Sequence, residues 1–258
     1  MSAQPGRRAR GFVAGVSFLT RIPVGGDLKE RDIAASVAWF PVVGALVGAV
    51  GGAVFVLASK AWAPLVSSLL AVAVTVAITG AFHEDGLGDT ADAFGAASTG
   101  RDPKPVLKDP RMGTFGVVAL VLAIGLRVAL VGSLAPRAGM LALIAASALA
   151  RGVSAVTVVA APSAGAGLGS SYAALAPTWR GVVAVIVGLV IATICIGIAA
   201  PVALALAAIA ALLEVRWAER TLGGVSGDVL GTIEQSGELI TLLVGIAFAA
   251  HVAAFPFV

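Results

Sequence analysis

The sequence predicts an all-α protein, a polytopic helical bundle embedded in a membrane, with about six or seven transmembrane helices. Three observations carry this prediction. Hydrophobic residues make up 59% of the 258 positions and charged residues only 12%, whereas soluble domains hold roughly 45–50% and 25%. Mean hydropathy is +1.02. Apolar runs recur at the length of about 20 residues that crosses a hydrocarbon core roughly 30 Å thick.

The elements follow in order. The segment 11–24, GFVAGVSFLTRIPV, is too short to span and is expected to lie at the interface or re-enter. Longer apolar runs then place spans at 35–58, 63–82, 113–134, 139–161, 181–199, 201–217 and 239–257, within one domain covering 1–258. The fifth and sixth are either two helices with a tight turn at 199–201 or one long kinked helix, because Pro201 resists helix continuation.

Basic residues set the expected orientation. Thirteen of the 17 fall on one side of a seven-span arrangement, among them Arg7, Arg8, Arg10, Arg101, Lys104 and Arg180. The other side holds only Lys60 and Arg137, while Arg127 and Arg151 fall within spans. The positive-inside rule then predicts a cytoplasmic N-terminus. The longer polar loops, 84–112, 162–180 and 218–238, face the same way. That bias suits a membrane enzyme taking a charged substrate from the cytosol. Placed beside spans, the basic residues behind the net charge of +3 serve orientation, and no nucleic-acid partner is expected. The lone Cys195, inside an apolar run, excludes an intrachain disulfide and a cysteine-rich metal site. No removable signal peptide is expected at the N-terminus.

Chemistry concentrates just after the second span, where 82–95 reads FHEDGLGDTADAFG. His83, Glu84, Asp85, Asp89 and Asp92 crowd into ten residues of a chain with 14 acids. Asp85, Asp89 and Asp92 stand at i, i+4 and i+7, so a helix would hold them on one face. Like charges so placed repel unless a cation sits among them. Mg²⁺ takes one or two carboxylates together with water and substrate phosphate. A span's end also suits a metal site better than a merely solvated acidic loop.

The next motif is complementary. KDPRMGTFG at 108–116 sets Lys108 and Arg111 just before a span, where cations and helix N-terminal amides bind anions. LGGVSGDVLG at 222–231, followed by Glu234 and Glu238, reads as a shaped loop carrying Asp228. Arg151 is expected to point towards the same site. Arg127, nearer the outer half, is expected to snorkel, and His251 to pack within the last span. SAGAGLG at 163–169 is too weak to carry a phosphate site alone. Together these residues specify metal-assisted phosphoryl chemistry at the cytoplasmic face. They name neither the alcohol nor the nucleotide.

The motifs go further by resemblance. TGAFHEDGLGDTAD at 79–92, KDPRMGTFG at 108–116 and LGGVSGDVLG at 222–231 resemble the adenosylcobinamide-GDP ribazoletransferase (cobalamin synthase, cobalamin 5'-phosphate synthase) family. FLTRIP at 18–23, FPVVG at 40–44, ARG at 150–152 and GLG at 167–169 agree in order. The resemblance implies a Mg²⁺-dependent enzyme of the cell's inner membrane. It would join adenosylcobinamide-GDP to α-ribazole, or its 5'-phosphate, releasing GMP. It further implies Asp85, Asp89, Asp92 and Asp228 as metal ligands and His83, Glu84, Asp85 and Asp89 as catalytic. Lys108, Arg111, Arg151, Asp228 and Glu238 would bind substrate. It leaves room for a homo-oligomer and for association with other cobalamin-assembly enzymes.

Three positions depart from the family pattern: Ala93 stands where Gly is common, Pro110 where Ser is usual, and Gln235 where Glu often occurs. Two rivals remain. A CDP-alcohol phosphotransferase would run D-G-x-x-A-R, and Asp85-Gly86 is not followed by that Ala-Arg pair. A transporter would carry acids in mid-span, and the spans as read hold essentially none beyond Glu214.

Overall fold

A computed structural model describes residues 5–24, 26–165 and 175–251, and the side chains of these except 5–8 and 251. The described residues are helical, with one isolated β-bridge between Ser163 and Val225 and no strand. The N-terminal helix α1 (Pro5–Leu19) packs beside α2 (Glu30–Ser36). Through a 3₁₀ turn α2 runs into α3 (Phe40–Ala58) as one apolar rod, Glu30–Ala58. Next come α4 (Pro64–Thr79), α5 (Phe82–Ser98), α6 (Thr114–Gly132) and α7 (Pro136–Ala160). The last three are α8 (Thr178–Ile196), α9 (Ala199–Thr221) and α10 (Gly227–His251).

Six of these segments are long and apolar enough to cross a membrane: the Glu30–Ala58 rod, α6, α7, α8, α9 and α10. The chain is a multi-pass membrane protein. α4 is shorter, about 24 Å at 1.5 Å per residue, and meets α5 at a 90° bend. α5 therefore lies across the end of the bundle instead of continuing the span. Helix α7 is its axis, with Ala145, Ala148, Leu149 and Ala150 fully buried against α3, α8 and α10. Such small residues let helix backbones approach closely in lipid, where van der Waals packing drives association.

Several expectations change here. The stretches 84–112 and 218–238, expected as loops, are largely helical: the acidic motif forms α5, and α10 starts at Gly227. Asp228, Glu234 and Glu238 thus sit on one rigid helix. Residues 178–221 form two helices, broken at Gly197 and Ile198 instead of at 199–201. Pro201 sits in α9's first turn, where its missing N–H has no helical partner to lose.

Candidate active site

The elbow between α4 and α5 explains the acidic motif's flanks. Gly80 (φ 67°, ψ 35°) and Ala81 (φ 57°, ψ 24°) are consecutive left-handed residues. Two such residues swing the chain through the right angle that lays α5 across the bundle end. Gly80 takes this conformation without penalty, whereas Ala81 costs roughly 1–2 kcal/mol. Arg21 braces the turn, donating its backbone N–H to the Ile78 carbonyl at 2.7 Å. Its side chain lies against Gly80, where a Cβ would stand 2.1 Å from Nε.

Next, α5 crosses α10 at backbone contact. A Cβ on Gly86 would lie 2.7 Å from the Asp228 carbonyl oxygen, and one on Gly231 would lie 3.0 Å from the His83 carbonyl oxygen. Thr232 ties the crossing, its hydroxyl donating to the Gly86 carbonyl at 3.2 Å. Two motifs about 140 residues apart in sequence are thereby brought face to face, with Asp228 among the charges that act on Asp89.

Beside the crossing lies a cavity of about 710 Å³, within the size range of small-molecule sites. His83 and Asp85 line it from the acidic helix, and Asp228 with Ser226 from the glycine-rich turn. Lys104 and Lys108 enter from the basic loop, and Arg151 and Ser154 from α7. Phe18, Phe40 and Phe82 form an apolar wall, with Phe18 stacked on Phe40 at a 5.7 Å centroid separation. The turn is held in register by the bridge, in which Val225 N–H donates to the Pro162 carbonyl at 2.7 Å. The cavity thus gathers residues from all three main motifs. Lys104 and the phenylalanines are sites that motif reading missed. Lys104 was visible only as one of several loop cations, and Phe18 and Phe40 only within secondary motifs.

The aspartates divide by role. Asp85 is exposed and lines the cavity. Asp89 is half-buried, and burial together with Asp85, Asp228 and Asp92 pushes its carboxyl up to about 6. Asp92 turns the other way. Its two oxygens accept the Gly113 and Gly116 backbone N–H groups at 2.6 and 2.8 Å, capping the N-terminus of α6. This carboxylate, expected as a metal ligand, pins the loop of the basic motif to α5. Among the described residues no three such side chains converge at ligating distance. The donor set nonetheless fits Mg²⁺: hard carboxylate oxygens with an uncompensated charge, on an open face that leaves coordination positions for water and phosphate.

The basic residues also divide. Lys108 lines the cavity, but Arg111 is exposed and closed onto its own motif. Its Nε and Nη2 donate to the two Asp109 oxygens at 3.0 and 2.8 Å. These bonds lower the Asp109 carboxyl to about 2. His83 sits in the first turn of α5; burial, then the charge of Arg151, hold its imidazole well below the usual range, so it is neutral.

Behind the cavity lies a buried polar cluster. Arg151 Nη1 meets Glu234 at 2.7 Å and Glu238 at 3.0 Å. Arg127 contacts Glu84 at 3.3 Å and Glu238 at 3.2 Å. Ser147 donates to Glu238 at 2.8 Å, and the His83 ring nitrogen Nδ1 stands 3.5 Å from Glu234. Arg127 is only 2% exposed, so the expectation that it snorkels is overturned; its partners are inside. The expectation that the spans hold essentially no acids falls with it, because Glu234 and Glu238 are buried on α10. Glu84 faces this cluster and not the cavity. Gln235 accepts from Arg127 through its oxygen and donates to Glu84 and Glu234 through its nitrogen. A glutamate there could not make the last two bonds. The His251 side chain and the GLG motif at 167–169 lie outside the described residues.

Fold and site together define a class: a multi-pass helical membrane protein with an acidic helix crossing a second carboxylate-bearing helix beside a cation-lined cavity. Residues 11–246 match the family described as Cobalamin-5-phosphate synthase. An adenosylcobinamide-GDP ribazoletransferase of Bradyrhizobium diazoefficiens is 43% identical over 239 residues, covering 90% of this chain and 91% of that protein. Proteins of the same name from Azorhizobium caulinodans and Ralstonia nicotianae are 35% and 34% identical, covering 92% and 91% of this chain and 95% and 94% of theirs. No solved structure matches. The chain belongs to the cobalamin-5-phosphate synthase family and is a transferase of cobalamin synthesis.

Proposed function

We propose that the protein joins adenosylcobinamide-GDP to α-ribazole, or α-ribazole 5'-phosphate, at this cavity, releasing GMP. The observation that carries the reading is the meeting of all three motifs in one cavity, lined by carboxylates and lysines together. In the reaction a ribose hydroxyl oxygen forms a bond to the phosphorus attached to the corrinoid side chain. The bond from that phosphorus to the GMP oxygen breaks, and the hydroxyl proton is released. Neutral His83 on the cavity wall is placed to accept that proton. Lys104 and Lys108 bind phosphate oxygens, and positioning with charge stabilisation supplies most of the rate in such transfers. Asp85, Asp89 and Asp228 would hold Mg²⁺, which neutralises the diphosphate and its leaving group. Arg151, reaching the wall from behind, is held in place by Glu234 and Glu238.

At about 710 Å³ the cavity admits a nucleotide-sized portion of the donor, leaving the corrin ring at its mouth. The excess of basic residues at this end supports a site on the cytoplasmic face of the cell membrane. Reconstituted protein offered adenosylcobinamide-GDP with α-ribazole 5'-phosphate is expected to yield GMP and a corrinoid product. Offered a CDP-activated alcohol and an alcohol acceptor, it is expected to yield no CMP. The reverse pattern would move the assignment to phospholipid synthesis.

A further inference from the structure

A second cavity, of about 680 Å³, opens between the start of the Glu30–Ala58 rod and the start of α8. Its chemistry differs from that of the first. Arg31 and Arg180 line it together with Trp39 and Trp179, and Val183 and Val187 continue it along α8. One carboxylate, Asp32, is in its wall, but that group is already engaged by the Arg10 guanidinium at 3.5 Å and the Lys29 backbone N–H at 3.1 Å. The two groove arginines are therefore uncompensated. Nη1 of Arg180 is shielded from solvent and, among the described residues, meets no hydrogen-bond acceptor. A buried donor left unmade is costly, so an acceptor belongs there.

The groove has a polar end and an apolar end. Arg31 stands in the first turn of the rod and Trp179 and Arg180 in the first turn of α8, with Trp39 about two turns further along the rod; aromatic rings settle at headgroup level. Arg180 also lies over the Trp179 ring, 5.3 Å from its centroid. Below them, exposed Leu46 and Val50 on α3 continue the row begun by Trp39, at steps that keep to one helix face. Positive charge above an apolar channel fits one amphiphile class.

We infer that this groove binds an anionic phospholipid of the bilayer, with its phosphate on Arg31 and Arg180 and its acyl chains along α3 and α8. Basic pockets between membrane helices recognise anionic headgroups in this way. The occupant is a lipid and not a soluble anion, because the apolar half of the groove needs chains to fill it.

The test uses the whole chain, delipidated in a neutral detergent, with native mass spectrometry counting bound lipid. Wild-type protein is expected to retain phosphatidylglycerol in preference to phosphatidylcholine. Two arginines near a membrane surface, each contributing on the order of fivefold, make Arg31→Gln/Arg180→Gln weaker by about 25-fold. The charge-matched Arg216→Gln/Arg220→Gln is expected to bind as wild type does. Millimolar glycerol 3-phosphate is expected to leave the lipid in place. Equal retention of both lipids, unaltered binding by the groove variant, or displacement by glycerol phosphate would overturn the inference. A second measurement needs no variant: brominated phosphatidylglycerol should quench tryptophan fluorescence more than brominated phosphatidylcholine, and equal quenching would also overturn it.

Discussion

Asp89 separates catalytic from structural roles at the scale of a single residue. Its carboxylate is crowded by Asp85, Asp228 and Asp92, so neutralising it relieves repulsion in the metal-free protein. Asp89→Asn is therefore expected to leave the melting temperature unchanged or higher. GMP release should fall at least about 100-fold, the upper end of what even outer-shell changes cost a metal site. A calorimetric scan beside a turnover assay checks both, and retained activity would remove Asp89 from the site. Arg127 should behave in the opposite sense. Arg127→Met leaves the buried Glu84 without a cation and takes one of two from Glu238, and breaking a buried pair costs about 3–5 kcal/mol. That corresponds to a fall in melting temperature on the order of 10 °C. A surface arginine would show no such fall.

Helices make the site, and the α5–α10 crossing is their most exacting contact. Gly86→Ala puts a methyl carbon 2.7 Å from the Asp228 carbonyl oxygen, so the helices must part. Overpacking of this kind costs about 1–3 kcal/mol, and a displacement near 1 Å at reacting groups costs about 100-fold in rate. Gly125→Ala, on α6, meets nothing within 4 Å and should be neutral in both assays. Equal behaviour of the two variants would mean that the crossing does not hold the site together. The same elements show what a sequence discloses. Asp85, Asp89 and Asp92 were legible because their spacing lies within one helix. Asp92's actual partners, the amides of Gly113 and Gly116, were not, since nothing local says which residues cap another helix. The Arg151–Glu238 pair was illegible for the same reason: its members lie 87 positions apart, and apolar periodicity does not fix how two membrane helices rotate against each other. The 90° elbow was written in Thr79-Gly80-Ala81, but Ala81 gives no local sign of a left-handed backbone.

For the whole molecule, orientation decides which compartment supplies substrate. In a Cys195→Ala background, single cysteines replacing Lys60 or Arg137 should react with an impermeant thiol reagent added to intact cells. A cysteine replacing Arg101 should react only after permeabilisation. The reverse labelling would place the cavity outside the cell and contradict the positive-inside assignment. The central claim of the proposal is that carboxylates of α5 and α10 jointly hold a metal on which the transfer depends. The most direct measurement is the Mg²⁺ dependence of GMP release by reconstituted wild-type protein and Asp228→Asn, with EDTA as the zero point. Activity should vanish in EDTA, and the variant should need at least about tenfold more Mg²⁺ for half-maximal rate. Turnover that survives EDTA, or a variant with the wild-type Mg²⁺ requirement, would contradict it.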